Sequence, residues 1–382
     1  MNFILSLPFQ EGSAMVDIFF YIFIATFFIQ SFYYLIVFRK LAFSKDSSCS
    51  KDNNEPVSVI VCARDEKKNL QRLIPLLSEQ NYPDYELVIV NDRSTDGSFE
   101  YLSEAASHHD RLKNVTIERV PEHLNPKKFG LTMGIKAAKN DLLLFTDADC
   151  EPASNLWIKE TTEQYDEHTD MVLGFSPYYT KKGFLNSFIR FETILTAIQY
   201  ISYAIKGKPY MGVGRNLSYR KSLFMNNRGF NGHLKVLGGD DDLFVNKHAT
   251  QKNTRVCVGK SGMVYSHPKT TWGSFLKQKL RHLSVGKHYK FKDRIRLGIF
   301  SLSHILFWVL FVYLAINMKE PLIIASAVFL RILIVSVIFK KASGKLGDTI
   351  HPALVLILDF LYAFYYIAVG ALVVARKKVK WS

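Results

Sequence analysis

Two groups of acidic residues in this sequence have the types and spacing for metal-assisted chemistry. Asp147 and Asp149 stand two positions apart, directly after the apolar residues 142–145. Carboxylate oxygens are the ligands that Mg²⁺ and Mn²⁺ prefer, and such ions are commonly shared with a substrate phosphate. The second group, residues 240–242, is three consecutive aspartates that follow two glycines. Repulsion among these carboxyl groups predicts a raised pKa for at least one of them, as a general base requires.

The elements that must position these residues alternate along the chain. Short apolar runs, typical of strands buried on both faces of a parallel sheet, occupy residues 57–62, 86–90, 115–119 and 142–145. Segments with helical apolar spacing lie between them, at residues 67–80, 97–107 and 128–139. This alternation predicts an α/β fold, with a doubly wound, mostly parallel sheet and helices on both faces.

Polar residues follow three of the predicted strands. Residues 63–66 follow the first strand, residues 91–94 the second and residues 146–149 the fourth. One acidic loop is usually only a solvated turn. Three such loops at the carboxyl ends of neighbouring strands predict a ligand site along one edge of the sheet. Arg93 and Lys128 have the charge to offset a diphosphate bound there.

Two uncharged apolar segments flank this region. Residues 18–38 and 297–318 contain no Asp, Glu, Lys or Arg, and each can cross a hydrocarbon core of about 30 Å as a helix. Acidic residues precede the first segment and basic residues follow it, so the positive-inside rule places the N-terminus outside and the α/β domain in the cytosol. These features predict an integral, multi-pass membrane protein whose catalytic domain is cytosolic.

Two further apolar segments each contain one charged residue. Arg331 lies within residues 321–339, and Asp359 lies within residues 353–375. A charge inside a membrane is costly unless it is paired, so we predict an ion pair between these two residues. Four full spans would leave the basic tail, residues 376–382, outside, against the charge rule. Three spans with a re-entrant hairpin are therefore an alternative to four.

Composition excludes several classes of protein. The four cysteines have no paired spacing, which argues against a disulfide scaffold or a zinc ribbon. The net charge of +15 is concentrated beside the apolar segments, where basic side chains meet anionic lipid headgroups. No nucleic-acid-binding motif accompanies this charge, so membrane lipids rather than nucleic acid are the predicted partners.

Two amphipathic stretches complete the predicted organisation. Residues 184–205 and 272–289 mix apolar and charged residues and are predicted to lie on the membrane surface beneath the site, with a core helix as the alternative for the first. The predicted order is an N-terminal segment (1–17), a membrane helix (18–38), a linker (39–55), the α/β domain (56–270), an interfacial region (271–296), a membrane region (297–375) and a basic tail (376–382).

Taken together and in this order, the motifs of residues 56–285 resemble those of membrane-bound family-2 glycosyltransferases with the GT-A fold. That group includes cellulose, chitin and hyaluronan synthases and ceramide glucosyltransferases. The segments that carry the resemblance are VSVIVCARDEKKNL (57–70), VNDRSTDGS (90–98), TDADC (146–150), GVGRNLSY (212–219), DDD (240–242) and QKLRH (278–282).

The resemblance implies a nucleotide-sugar donor, with UDP favoured over GDP on this ground alone. Lys128 would face the diphosphate, while Asp147 and Asp149 would hold it, Asp149 through Mn²⁺ or Mg²⁺. The residues implied to bind the nucleotide are Ala63, Arg64, Glu66, Asp92, Arg93, Lys128 and Asp147.

The resemblance also implies an inverting, single-displacement transfer with Asp241 or Asp242 as the base. Asp242 is slightly favoured, because Leu243 and Val245 then fall where the family has apolar side chains. Arg281 would stabilise the departing diphosphate. The residues implied to lie near the acceptor and leaving group are Gln278, Arg281, His282, Gly214 and Asn216.

The sequence departs from the family at His282, which replaces the tryptophan of the Q-x-x-R-W motif. In the family that tryptophan borders the acceptor, so a smaller, titratable ring leaves a different acceptor open. We predict transfer to a membrane-associated lipid or glycolipid. A processive polysaccharide synthase, extending a growing glycan, is one alternative, and a non-catalytic nucleotide-binding membrane protein is another.

Overall fold

The computed structural model describes residues 10–44, 53–234 and 236–375 of the chain. The predicted basic tail and residues 45–52 of the predicted linker lie outside the described residues. The strands are β1 (Val57–Ala63), β2 (Tyr85–Asp92), β3 (Leu112–Ile117), β4 (Leu142–Asp147), β5 (Cys150–Pro152), β6 (Met171–Leu173), β7 (Leu217–Arg220), β8 (Thr254–Val256) and β9 (Val264–Ser266).

The helices begin with α1 (Gln10–Phe32), which continues through a π-helical segment (Tyr33–Phe38) into α2. The others are α2 (Arg39–Ala42), α3 (Lys67–Ser78), α4 (Ser98–His108), α5 (Pro126–Ala137), α6 (Trp157–Thr162), α7 (Phe184–Ile205), α8 (Lys221–Asn226), α9 (Asp242–His248), α10 (Trp272–Gly286), α11 (Phe291–Ile316), α12 (Pro321–Lys345) and α13 (Pro352–Ala375).

Seven strands form one mixed sheet in the order β3-β2-β1-β4-β7-β6-β8. β1 pairs in parallel with β2 and β4, and β2 pairs in parallel with β3. β7 runs antiparallel to β4 and β6, while β8 is parallel to β6. Six of the seven strands therefore point the same way. The predicted α/β fold with a mostly parallel sheet is confirmed.

The apolar side chains of the strands pack in two hydrophobic cores, one on each face of the sheet. Successive side chains of a strand point to opposite faces. Val59 of β1 accordingly packs in one core with Leu70 of α3 and Leu102 of α4, whereas the adjacent Ile60 packs in the other with Ile135 of α5. A strand buried on both faces is apolar at most positions, which explains the largely apolar runs in the sequence, and the buried polar residues Ser58 and Glu86 bond to each other.

Four helices of the described chain are long and apolar enough to cross a membrane: Ala14–Ala42, Phe291–Ile316, Pro321–Lys345 and Pro352–Leu372. This agrees with the prediction of an integral membrane protein. α1 lies along α11, with the rings of Phe23 and Phe307 stacked at 4.8 Å. Asp17 pairs with Lys319 at 2.5 Å, so α1 begins at the end of the bundle where α11 gives way to α12.

The charged residues of α12 and α13 meet inside the bundle. Arg331 Nη1 lies 2.6 Å from Asp359 Oδ2, and both side chains are 2% exposed. Trp308 Nε1 donates to the same carboxylate oxygen at 3.0 Å, and Arg331 Nη2 lies 3.0 Å from His304 Nδ1. Gln30 of α1 also accepts from Arg331 at 3.4 Å. The predicted ion pair is confirmed, and we call these five residues the membrane hub.

The prediction that residues 184–205 lie on the membrane surface is wrong. α7 is almost entirely buried between the sheet and the membrane helices. Phe191 packs against Phe339 of α12 and Tyr362 of α13, with ring centroids 5.4 and 5.6 Å apart. The alternative, a core helix, is correct. α10 is amphipathic as predicted, with Phe275 buried and Trp272 42% exposed.

Candidate active site at the junction of sheet and membrane helices

The carboxyl ends of β1, β2 and β4 lie level with one another. Cys62 of β1 pairs with Val90 of β2 on one side and with Asp147 of β4 on the other. The loops that follow β1 and β2 are bound together, because Asp65 Oδ1 accepts from the backbone N–H of Thr95 at 2.7 Å. The structure therefore places the three acidic loops along a single edge, as the spacing predicts.

The residues predicted to hold the nucleotide lie along this edge. Ala63 ends β1 and is buried, and Arg64 is exposed. Arg93, in a left-handed conformation (φ 55°), binds Asp92 through Nε and Nη2 at 2.7 and 3.2 Å. Its charge is thus already engaged by a neighbour. Burial raises the pKa of Glu66, and Asp149 adds to this effect, so this loop stands close to the D-x-D motif.

Asp147, Asp149 and Cys150 could together enclose an ion. One ligand atom from each of them lies within 4.8 Å of the others. Burial raises the pKa of the Cys150 thiol well above its usual range, and a sulfur ligand is in any case a poor match for a hard cation, which prefers oxygen. The donor set that remains is two carboxylates, which suits a hard cation such as Mn²⁺ or Mg²⁺.

Lys127, rather than the predicted Lys128, faces the acidic groups. Lys127 Nζ lies 3.2 Å from Asp147 Oδ1 and 3.4 Å from Asp240 Oδ2, and so bridges the two clusters. Although burial opposes ionisation, Lys127 and Arg215 hold the pKa of Asp147 below its ordinary value. Sequence reasoning missed both of these cations.

Lys128 points into the protein. Its side chain is 1% exposed, and its ammonium donates to the carbonyls of His233 and Val236. α5 is capped by Asn125, whose side chain accepts from the backbone N–H of Lys128. Because neighbouring helical residues are about 100° apart around the axis, these two adjacent lysines point in different directions, and Lys127 is the one that faces the cleft. Lys128 instead supports the loop that leads to the second acidic cluster.

The two candidate bases differ in how their oxygens are used. Asp241 caps α9: its Oδ1 accepts from the backbone N–H of Asp242, and its Oδ2 from that of Gly214, both at 2.8 Å. A Cβ on Gly214 would lie 3.2 Å from Asp241 Oδ2, so a glycine suits this close approach. Asp242 Oδ2 accepts from the hydroxyl of Tyr289 at 2.8 Å, whereas its Oδ1 has no hydrogen-bond partner among the described residues.

Burial, together with the charge of Asp241, raises the pKa of Asp242 well above its usual value. A carboxylate with one held oxygen, one unpartnered oxygen and a raised pKa has the properties of a general base. Tyr289 was missed by sequence reasoning, since it lies outside every motif.

Tyr289 belongs to a short connection between α10 and α11, residues 287–290, which we call the elbow. The backbone N–H of Lys290 donates to Asn246 Oδ1 at 2.9 Å, and Asn246 Nδ2 donates to Asp293 Oδ2 of α11 at 3.0 Å. Asn246 lies one turn after Asp242 on α9. The elbow is therefore bound to the same face of α9 that presents Asp242.

Residues of the Q-x-x-R-H segment line the cleft. Gln278 and Arg281 are one turn apart on α10, and His282 follows them. Gln278 Nε2 lies 3.4 Å from the hydroxyl of Tyr178. Arg281 contributes to the lowered pKa of Asp147, which places its charge near the D-x-D motif.

Asn216, in contrast, does not reach the cleft. It is 1% exposed, its Oδ1 accepts from Trp157 Nε1 at 3.0 Å, and its Nδ2 donates to the carbonyls of Phe175 and Gly262 at 2.8 Å. These bonds occupy both ends of the amide, so Asn216 fixes the 3₁₀ turn Gly214–Asn216 from behind. The preceding Arg215 lines the cleft instead.

One cavity of about 600 Å³ connects these groups with the membrane helices. Its wall includes Asp147 and the acidic cluster at the sheet edge, and it is bounded by α7 and α10. Residues of the membrane-length helices α11 and α13 also line it: Leu297, Gly298, Ser301, Tyr362, Tyr365 and Tyr366.

Comparison with known proteins identifies the class of fold. The chain superposes on the mannosyltransferase PcManGT from Pyrobaculum calidifontis, solved in complex with GDP-Man and Mn²⁺, with a TM-score of 0.56. The match covers 90% of this chain and 98% of that one at 15% sequence identity. The predicted GT-A fold is confirmed.

Sequence comparison agrees with the predicted family. Residues 58–227 match the model of glycosyl transferase family 2. The 4,4'-diaponeurosporenoate glycosyltransferase of Staphylococcus haemolyticus is 30% identical over 118 residues, which are 31% of this chain and 30% of that protein. Glycosyltransferase AglE of Haloferax volcanii is 26% identical over 294 residues, 73% of this chain and 91% of that protein. These matches favour the enzyme over the non-catalytic alternative.

Proposed function

We propose that this protein transfers a sugar from a nucleotide-sugar donor to a lipid or glycolipid in the membrane, with inversion at the anomeric carbon. The observation that carries the proposal is the single cavity. It joins the acidic sheet edge, where a donor would bind, to α11 and α13, which are apolar enough to contact lipid. A membrane acceptor could thus reach the donor without leaving the bilayer.

The donor end of the cavity has the groups that a nucleotide diphosphate requires. Asp147 and Asp149 would hold a divalent cation, which when bound would neutralise the charge on the diphosphate. Lys127, Arg215 and Arg281 line the same region and supply cationic groups for the leaving group. The loops after β1 and β2 would receive the base and the ribose.

Asp242 would act as the base. Its unpartnered Oδ1 would take the proton from an acceptor hydroxyl while that oxygen forms a bond to the anomeric carbon and the bond to the diphosphate breaks. The electron pair would leave with the nucleotide diphosphate, and a single displacement of this kind inverts the centre. Asp241 is unsuited to this role, because both of its oxygens are bound to backbone N–H groups.

We place the sheet domain on the cytosolic side. Arg39 and Lys40 begin α2, and Lys292, Arg294 and Arg296 lie in the first turns of α11, so basic residues cluster at the ends of both helices that adjoin the sheet domain. The positive-inside rule assigns such ends to the cytosol.

The proposal is tested by incubating the protein, purified in native-lipid nanodiscs, with a panel of labelled nucleotide sugars and Mn²⁺. Chloroform-extractable label is expected, it should disappear with EDTA, and added Mn²⁺ or Mg²⁺ should restore it. Label that remains at the origin of a chromatogram would instead show a polysaccharide synthase. Metal-dependent donor binding without any turnover would contradict the proposed function.

A further inference from the structure

The membrane side of the cavity carries its own set of polar groups. We call this set the tyrosine arm; it consists of Glu192 of α7, Lys279 of α10, and Tyr362, Tyr365 and Tyr366 of α13. Tyr362 donates to the hydroxyl of Tyr366 at 3.2 Å. The hydroxyl oxygen of Tyr365 is shielded from solvent and has no hydrogen-bond partner in the described parts of the chain. A polar group in this state has an unused bond for a ligand.

The tyrosine arm has little net charge. The ammonium of Lys279 pairs with the carboxylate of Glu192, and these side chains are 14% and 10% exposed. The cations at the sheet edge, such as Lys127, lie beside Asp147 instead. Lys287 and Arg294 also line the cavity but are solvent-exposed at the elbow side. A phosphate in the arm would meet a carboxylate and a lysine that is already neutralised.

Both membrane helices carry exposed apolar side chains at positions next in sequence to residues of the cavity wall. On α11, Ile299 and Leu302 are 45% and 57% exposed, and on α13, Leu361 and Phe364 are 36% and 39% exposed. Gly298 lies in the cavity wall, and a Cβ there would meet nothing within 4 Å, so this part of the wall is open. Acyl chains could lie against this apolar surface while a polar headgroup enters the cavity.

We propose that the tyrosine arm binds the neutral, hydroxyl-bearing headgroup of a membrane lipid, a glycerol or a sugar, and disfavours lipid phosphates. This inference rests on the proposed function and specifies its acceptor. Phenolic hydroxyls and a paired carboxylate offer donors and acceptors to neutral hydroxyls, whereas a lipid phosphate would find no uncompensated cation in the arm, because Lys279 is already paired with Glu192. One headgroup hydroxyl would then reach Asp242 and lose its proton there.

The test compares two acceptors in nanodiscs of phosphatidylcholine, with the donor and metal that give turnover. Diacylglycerol or its monoglycosylated form represents the neutral class, and polyprenyl phosphate the anionic class. We expect transfer to the neutral lipids and at least tenfold lower kcat/KM with polyprenyl phosphate. The opposite preference would overturn the tyrosine-arm assignment but leave the proposed function intact. If neither acceptor nor water receives sugar, the proposed function itself fails.

Two variants examine the arm directly. Tyr365→Phe should raise the KM for the neutral acceptor by about three- to tenfold, the effect of one lost hydrogen bond, without changing the donor KM. Tyr313→Phe, the same change in α11 outside the cavity, is the matched control and should alter neither constant.

Glu192→Gln leaves Lys279 unneutralised and should increase transfer to polyprenyl phosphate. An unchanged acceptor KM in Tyr365→Phe, together with an unchanged preference in Glu192→Gln, would overturn the inference.

Discussion

Asp242 in the cleft and Asp359 in the membrane hub are both carboxylates removed from bulk water, but their oxygens differ in their hydrogen-bond partners. Asp359 Oδ2 accepts from Arg331 and Trp308, and its Oδ1 lies 3.4 Å from Arg331 Nη2. Asp242 has Tyr289 on one oxygen and no protein donor on the other. In the hub, both oxygens of the carboxylate bind side chains of other helices. In the cleft, one oxygen is left for a substrate.

The two carboxylates, Asp359 and Asp242, also differ in their effect on the stability of the fold. Burying a carboxylate costs free energy that partners must offset, and the hub supplies those partners from two other helices, Trp308 from α11 and Arg331 from α12. In the cleft, burial and then the like charge of Asp241 raise the pKa of Asp242, which favours proton transfer at a cost in stability. Mutations should therefore affect activity at one site and folding at the other.

The largest effect is expected for Asp242→Asn. The amide keeps the shape of the side chain but cannot take a proton, so kcat should fall by about 10²–10⁴-fold. Donor binding and thermal unfolding should change little. Asp241→Asn is the matched control: its amide oxygen keeps the cap of α9 but not the second bond from Gly214, so it should lose much less activity than Asp242→Asn. Equal losses in the two variants would contradict the assignment of Asp242.

Breaking the hub should act on stability instead. Arg331→Leu or Asp359→Leu leaves one charge buried without its partner, which should cost about 3–5 kcal/mol of unfolding free energy. The double variant should lose less than the sum, since it removes both charges. Unfolding in mixed detergent micelles measures the difference, and folded enzyme should keep its specific activity. Strictly additive losses would show that the pair does not act as a unit.

The adjacent residues Lys127 and Lys128 allow a comparison in which the expected effects are smaller. Lys127→Gln removes the cation between Asp147 and Asp240, so the KM for the donor should rise about tenfold. Lys128→Gln should leave that KM within about twofold and lower the thermal stability, because its ammonium holds two carbonyls of a loop. Isothermal titration with the donor nucleotide and a thermal scan distinguish the two. A larger donor effect for Lys128 would reverse the assignment.

The smallest effect is a shift in pH dependence. The hydrogen bond from Tyr289 favours the ionised form of Asp242 and so lowers its pKa, against burial and Asp241, which raise it. In Tyr289→Phe the pKa of Asp242 should rise further. The acid limb of the kcat/KM profile should move to higher pH by up to about one unit, with the alkaline plateau largely kept. A lower plateau with an unmoved limb would show that Tyr289 only supports the fold.

Much of the sheet and its acidic edge could be predicted because the signals are local. An apolar run and the polar turn after it lie in one short segment, so the position of Asp147 at the end of β4 follows from the sequence. The Arg331–Asp359 pair was predictable for a different reason, since a membrane leaves few partners for an isolated charge.

The positions that sequence reasoning did not predict all depend on tertiary packing. Lys127 and Lys128 differ only in helical phase, and Lys127 is the one that faces the cleft. Asn216 looks like a ligand in its motif, but Trp157 and two carbonyls from distant segments occupy it. Tyr289 reaches Asp242 only because the elbow folds back on α9. The burial of α7 depends on α12 and α13, which come more than a hundred residues later.

The elbow has a consequence for the setting in which the enzyme works. It ties α9 to α11, whose apolar residues 297–316 are about 30 Å long as a helix. A bilayer thicker or thinner than this length changes the tilt of such a helix at a modest cost. Through Tyr289 and Asn246 that tilt would displace the proton acceptor. Turnover should accordingly peak at one acyl-chain length when the enzyme is reconstituted in phosphatidylcholines of graded length, making membrane thickness a regulator of glycosylation.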